Sequence, residues 1–234
     1  MDMRRCVLVD LGGTLIYGPS IREVFDEALQ SDEIRSRLDD SSIAKLRGSF
    51  REVYGGLKAI KRGLLIEVGL DTTIRLALKE VSITDGQLMK DLKEVLLKLY
   101  VQERKAYDDA RPFLEELKGS GFVVVVVSNI PEHDMAVDSL DRLGLSDYVD
   151  GVVTSARLGL RKPHPLVYLK ALEKARASNA VFVGDSVEND VLGPLSVGIP
   201  AIHVARSGVT LKRSVSSLSD ALDIILTGCF AVDV

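Results

Sequence analysis

Apolar residues follow two different rhythms along this chain, and the change of rhythm divides it. Continuous runs occur at Cys6-Val7-Leu8-Val9, at 122–127, at Val181-Phe182-Val183 and, more briefly, at Val152-Val153 and 201–204. Unbroken valine-rich runs of this length predict strands buried on both faces, as in a parallel sheet. Between the first run and the second the rhythm is helical. Leu46, Phe50, Val53 and Leu57 recur at helical spacing, as do Leu88, Leu92, Val95, Leu96 and Leu99. Ser41-Ser42 and Thr84-Asp85 read as helix starts, and Gly55-Gly56, Gly63 and Gly69 as breaks or bends. From Asp109 onward strand and helix alternate, with helices expected over 112–118, 132–143, 165–175, 188–197 and 216–226. That order predicts an α/β fold: a doubly wound parallel sheet built from 1–17 and 109–234, with an all-helical insertion over 18–108.

Composition changes this picture little. A chain of 234 residues, 46% hydrophobic and 27% charged, can bury a full core plus an inserted module. The formal net charge of −4 argues against nucleic-acid binding through a broad basic surface. Two cysteines, Cys6 and Cys229, stand without a Cys-x-x-Cys or Cys/His pairing, so neither a disulfide framework nor a zinc site is indicated. Cys6 is expected to be a small buried residue of the first strand. No apolar run is long enough to span a bilayer and no secretory signal is visible, so a cytoplasmic protein without membrane partners is expected. Nothing in the sequence sets an oligomeric state.

The polar residues that end the apolar runs carry the chemistry. Asp10 ends the first run and opens Asp10-Leu11-Gly12-Gly13-Thr14-Leu15. Ser128-Asn129 ends the second, and Gly184-Asp185-Ser186 ends the third and leads to Asp190. Arg161-Lys162-Pro163 lies between the last two. Ligands of open parallel sheets bind outside the carboxyl ends of the strands. Asp10, Ser128 and Asp185 should therefore meet on one side, with Lys162 nearby on a loop. Carboxylates, a hydroxyl and a lysine around one crevice point to an Mg²⁺-assisted site for a phosphoryl group.

With these motifs in this order, the chain resembles the haloacid dehalogenase (HAD) superfamily, whose members are mostly phosphatases. The resemblance rests on Asp10 to Leu15, on Ser128-Asn129, on Gly159-Leu160-Arg161-Lys162-Pro163-His164-Pro165, and on Gly184-Asp185-Ser186-Val187-Glu188-Asn189-Asp190. It implies that Asp10 is a nucleophile forming an aspartyl phosphate on a small phosphorylated substrate. It implies that Asp10 and Asp185 bind Mg²⁺ with the backbone carbonyl of Gly12. Asp190 is then either a further ligand or a residue behind one, although a carboxylate there could simply favour the start of the next helix. Ser128, Asn129 and Lys162 would bind the phosphoryl group, and the Thr14 hydroxyl would hold the turn after the nucleophile. The helical insertion resembles the cap of this family, with Gly18-Pro19 and Tyr107-Asp108-Asp109 as its hinges.

One position departs from the family pattern. Gly12 stands where a second aspartate usually protonates the leaving group and then activates water, help worth about 10²–10⁴ in rate. Displacing a halide needs no divalent cation, so the presence of Asp185 and Asp190 argues against a dehalogenase. A phosphonate hydrolase would need a positioned amine in the cap, and no lysine there is singled out. Two readings remain: a phosphatase working without that acid, or a catalytically weak protein that uses the site as a phosphate- and metal-binding module. The other charged residues read as ordinary. His133 is expected at a solvated first helical turn, Arg161 at the surface or a helix cap, and Lys58, Lys61 and Arg62 on a solvated helix face, with an anionic substrate tail as their alternative partner.

Overall fold

A computed structural model describes residues 5–206, 211–212 and 214–228; Met1, Asp2, Met3, Arg4 and Cys229 lie outside the described residues. The strands are β1 (Cys6–Val9), β2 (Ile16–Tyr17), β3 (Lys105–Ala106), β4 (Val123–Ser128), β5 (Gly151–Thr154), β6 (Val181–Gly184) and β7 (Ala201–His203). Five of them form one sheet in the order β5-β4-β1-β6-β7, with every pairing parallel. The chain first builds outward from β1 through β4 to β5, then returns to the other side of β1 for β6 and β7. This reversal beside β1 opens a crevice at the carboxyl ends of β1, β4 and β6.

The unbroken apolar runs are explained by layers on both faces. Val7, Val9, Val124, Val126, Val181 and Val183 point to one side. There they meet α6 (Ala110–Gly119), α7 (His133–Arg142) and α11 (Leu218–Thr227) through Leu114, Met135 and Ala221. Cys6, Leu8, Val125, Val127 and Phe182 point to the other, against Val167, Tyr168 and Ala171 of α9 (Pro165–Ala175). At about 1.5–3 kcal/mol per fully buried large apolar side chain, these layers dominate the stability of the core. Burial, with a smaller contribution from Asp150, pushes the Cys6 thiol up to about 12, as suits an inert core residue.

The segment between β2 and β3 is helical throughout: α1 (Ile21–Ala28), α2 (Asp32–Arg35), α3 (Asp40–Leu64), α4 (Leu70–Glu80) and α5 (Gly86–Gln102). Phe25 of α1 and Phe50 of α3 stack at 3.6 Å between ring centroids, and Leu92 and Leu96 of α5 are buried in the same cluster. Of the breaks or bends expected at Gly55-Gly56 and Gly63, no break occurs: α3 runs unbroken from Asp40 to Leu64. Each helical glycine costs about 1 kcal/mol. The Asp39 cap on the Ser42 N–H and the buried anchors Leu46 and Phe50 outweigh that cost. Two strands escaped the sequence reading: β2 and β3 pair antiparallel, Ile16 with Ala106 and Tyr17 with Lys105, where the helical segment leaves and rejoins the sheet. Two-residue strands carry no periodicity to detect. The expected helix over 188–197 is instead a π-helical stretch (Val187–Leu192) followed by the short α10 (Gly193–Leu195). A further short helix, α8 (Ser155–Leu158), follows β5. Among the described residues, no helix is long and apolar enough to cross a membrane.

Candidate active site

β1 delivers Asp10 to the crevice, and the turn behind it determines what surrounds that carboxylate. The Asp10 N–H donates to the Val183 carbonyl at 2.9 Å, extending the pairing of β1 with β6 by one residue. The turn then closes by Gly13 N–H to the Ile16 carbonyl at 2.8 Å. Gly13 adopts φ +89°, and a Cβ there would lie 2.4 Å from Asp185 Oδ2. Only glycine serves at this point: the backbone is left-handed and Asp185 leans directly against it. Gly12 is different. Its φ is outside the left-handed range, and nothing lies within 4 Å of a Cβ built there.

The side chains at the strand ends form one buried polar cluster. Lys162 Nζ donates to Asp10 Oδ1 at 2.6 Å, to Asp190 Oδ1 at 2.7 Å and to the Val127 carbonyl at 2.8 Å. All three of its donors are thereby engaged. Asp190 Oδ2 accepts the Ser186 N–H at 3.0 Å, so each of its oxygens has a donor. The Thr14 hydroxyl lies 3.3 Å from Asp10 Oδ2 and 3.4 Å from Asp185 Oδ1. It is fully buried beneath the two carboxylates and forms no part of the cavity wall. Asn129 lines the cavity and ties its side-chain amide to the lysine loop. Its Oδ1 accepts the Lys162 N–H at 2.8 Å and its Nδ2 donates to the Lys162 carbonyl at 3.0 Å. Ser128, buried at the end of β4, lies on the cavity floor.

The electrostatics follow from burial. Desolvation works to lower the Lys162 ammonium's pKa, but contact with Asp10 and Asp190 outweighs it and raises the value. Burial, and then the charge of Asp10, push Asp185 upward. Asp190 is raised by burial, with Lys162 opposing. Carboxylate oxygens of Asp10, Asp185 and Asp190 lie within 4.8 Å of one another. With all three ionised, the carboxylates would outnumber the one ammonium by two in a poorly solvated cluster, which is why burial pushes Asp185 and Asp190 upward. All the donors are hard oxygens, so the residues present fit a divalent cation such as Mg²⁺. Asp10 and Asp190 each accept one donor at either oxygen, Asp10 from Lys162 and Thr14 and Asp190 from Lys162 and the Ser186 N–H, while Asp185 accepts only from the Thr14 hydroxyl among the described side-chain donors.

Several residues differ from their sequence reading. His133 is buried, not solvated, with Nδ1 2.9 Å from Thr154 Oγ1, because α7 packs its first turn onto the end of β5. Desolvation, then the charge of Arg157, lowers its pKa. Arg161 is not a surface or capping charge: it pairs with Glu67. Lys61 is buried and 3.0 Å from Glu67, while Arg62 reaches Glu188 at 2.7 Å. His203, an ordinary residue on its sequence reading, sits beneath the site with Nε2 2.9 Å from the Asp185 carbonyl. Glu67 and Ser155 were not singled out either, since neither stands in a motif or beside one that could be read locally.

A cavity of about 520 Å³ opens above this cluster. Asp10, Gly12, Ser128, Lys162 and Asp185 are among its floor, and Tyr54, Lys58, Arg62 and Tyr100 come from the helical segment. Residues 4–198 match the family model for a haloacid dehalogenase-like hydrolase. The chain belongs to this family. Among its haloacid dehalogenase-like relatives, a ribulose-1,5-bisphosphate 5-phosphatase of Halopiger xanaduensis is 30% identical over 209 residues, covering 86% of this chain and 84% of the relative. An (S)-2-haloacid dehalogenase 4A of Burkholderia cepacia is 29% identical over 64% of this chain and 66% of its own length. The fold is similar to that of a HAD phosphatase from Thermococcus onnurineus, with a TM-score of 0.67 and 24% identity over 94% of this chain and 97% of that one.

Proposed function

We propose that this haloacid dehalogenase-like hydrolase is a cytoplasmic, Mg²⁺-dependent phosphatase that acts on a small phosphorylated metabolite through Asp10. The observation that carries this reading is the charge imbalance on the cavity floor. Asp10, Asp185 and Asp190 face a single ammonium, and a divalent cation would offset the remainder. Phosphatase names among the relatives support the same class. Asp10 and Asp185, with the Gly12 carbonyl, would hold the cation. When bound, it would screen the carboxylates from an incoming phosphate and polarise a phosphoryl oxygen.

The chain's own residues supply the rest. An Asp10 carboxylate oxygen forms the bond to phosphorus, and the bond from phosphorus to the leaving oxygen breaks with its electron pair. Water then attacks the phosphorus, and the bond from phosphorus to Asp10 breaks with its electron pair to return the carboxylate. The proton that the water loses balances the one taken up by the departing alkoxide, both through solvent in the absence of an acid at Gly12. Lys162 holds Asp10 in position and offsets its charge. The Ser128 hydroxyl and the Asn129 N–H donate to the phosphoryl oxygens. The helices between β2 and β3 act as a lid over the cavity, moving about the junctions at Gly18-Pro19 and Tyr107-Asp108-Asp109. Gly12 favours a second reading, in which phosphate and metal bind but turnover is weak.

Phosphate release from a panel of alkyl, aryl and acyl phosphates, with and without Mg²⁺, tests both. Turnover is expected only with Mg²⁺, and Asp10→Asn is expected to lower it by about 10⁴-fold or more. Full activity of Asp10→Asn, or in excess chelator, would sink the aspartyl-phosphate route. Phosphate binding without release from any ester would favour the binding module.

A further inference from the structure

The loop between α3 and α4 touches the sheet domain at a point that the proposed chemistry does not use. Glu67 N–H donates to the Gly159 carbonyl at 2.9 Å, and Arg161 N–H donates to the Leu65 carbonyl at 2.9 Å. Ile66 and Leu160 thereby form an antiparallel bridge between the helical segment and the lysine loop. The Glu67 side chain is 2% exposed, and each of its oxygens has two donors. Oε1 accepts from Lys61 Nζ at 3.0 Å and from the Val68 N–H at 3.0 Å. Oε2 accepts from Ser155 Oγ at 2.5 Å and from the Arg161 guanidinium.

Two of those donors belong to the loops that shape the cavity floor. Arg161 immediately precedes Lys162. Ser155 Oγ accepts the Ile130 N–H at 2.9 Å, and Ile130 follows Ser128-Asn129. Asn129 in turn clamps the Lys162 backbone on both sides. The contacts close on themselves: Glu67 to Arg161 and Lys162, to Asn129 and Ile130, to Ser155, and back to Glu67. The carboxylate that completes this ring comes from the helical segment, whereas every other member comes from the sheet domain.

We infer that Glu67 is a positioning residue through which seating of the helical segment sets the register of Lys162 and of the Ser128-Asn129 loop. This rests on the phosphatase reading for its effect on turnover, but not for its effect on the two loops. Without the carboxylate's charge, buried Lys61 and half-buried Arg161 lose the counter-charge they share, and the 65–69 loop loses its hold on both cavity loops. The seated segment and the ordered floor then cease to be one state. A misplacement of about 1 Å at a reacting group can lower turnover by about 10²-fold.

The test compares the full-length wild type with Glu67→Gln, which keeps the side chain's size. Steady-state kinetics with para-nitrophenyl phosphate and Mg²⁺ are run beside amide hydrogen exchange. Glu67→Gln is expected to lower kcat by about 10²-fold while KM changes by less than about threefold. The amides of Ile130 and Arg161 are expected to exchange at least about tenfold faster, while those of Val7 to Val9 in β1 keep their protection. Arg161→Met leaves Glu67 neutralised by Lys61, so it serves if Glu67→Gln does not fold, and the same loops should loosen in it. In the double variant the losses should not add, because both substitutions break one link. Unchanged kcat and exchange, a loss confined to KM, or equal acceleration of exchange across β1 and both loops would each overturn the inference. If the wild type releases phosphate from no ester, the phosphatase reading fails, and the exchange of Ile130 and Arg161 alone decides the role of Glu67.

Discussion

The floor and the roof of the cavity are both rich in charge, yet the charges behave differently. On the floor, Lys162 and Asp190 are almost wholly buried, and every donor and acceptor of the pair has a partner within 3.0 Å. On the roof, Lys58 is exposed, and the Arg62–Glu188 pair spans the opening with side chains 75% and 47% exposed. A buried charge must be matched to be tolerated, and removing one member leaves the other stranded. An exposed pair gains little, because water and salt screen it. The floor is therefore a fixed electrostatic device set by strand ends. On the roof, Lys58 and Arg62 are solvated, whereas Lys61 is buried against Glu67.

Three substitutions would sharpen or break this contrast. The largest effect on the folded state is expected for Lys162→Met. It removes the one cation between Asp10 and Asp190 and should destabilise the protein by about 3–5 kcal/mol, read from urea unfolding, with loss of turnover. A change below about 1 kcal/mol would mean that the floor is as well solvated as the roof.

Gly12→Asp probes a part of the floor with room beside it. With no atom within 4 Å of a Cβ and no left-handed backbone, the site accepts a side chain. Turnover of alkyl phosphates should rise by up to about 10²-fold and that of aryl phosphates by less, because good leaving groups need less proton transfer. The wild type should show a burst with aryl phosphates followed by slow turnover. Equal wild-type rates on alkyl and aryl esters, with no burst, would show that another group moves the proton.

The smallest effect is expected on the roof. Arg62→Ala should shift stability by less than about 1 kcal/mol, and any change in KM should fade as salt is raised. A salt-independent loss of stability of several kcal/mol would place Arg62 with the buried charges.

These differences also explain what could be read from the chain. The strand at Val181–Gly184 and the helix at Pro165–Ala175 coincide with their sequence reading, because a buried run and a Pro at a helix start are local signals. The continuity of the helix through Gly55, Gly56 and Gly63 has no local signal, since Leu46 and Phe50 are buried against other helices. His133 and Arg161 look like ordinary surface residues until α7 and the 65–69 loop bring Thr154 and Glu67 to them. Ser155 gave no signal at all, because its two partners lie 25 and 88 positions away.

By itself the sequence determined the fold class, the family resemblance and the chemical types gathered at strand ends. Each of these depends on periodicity or on motifs of a few adjacent residues. Only the tertiary structure decided which donors meet the oxygens of Asp190, that Thr14 lies under the carboxylates, that Gly12 has room beside it, and that a glutamate from the helical segment ties the two loops of the floor. Those facts depend on distances between residues far apart in the chain. The free energy of a buried charge is set by such neighbours, not by its place in the sequence.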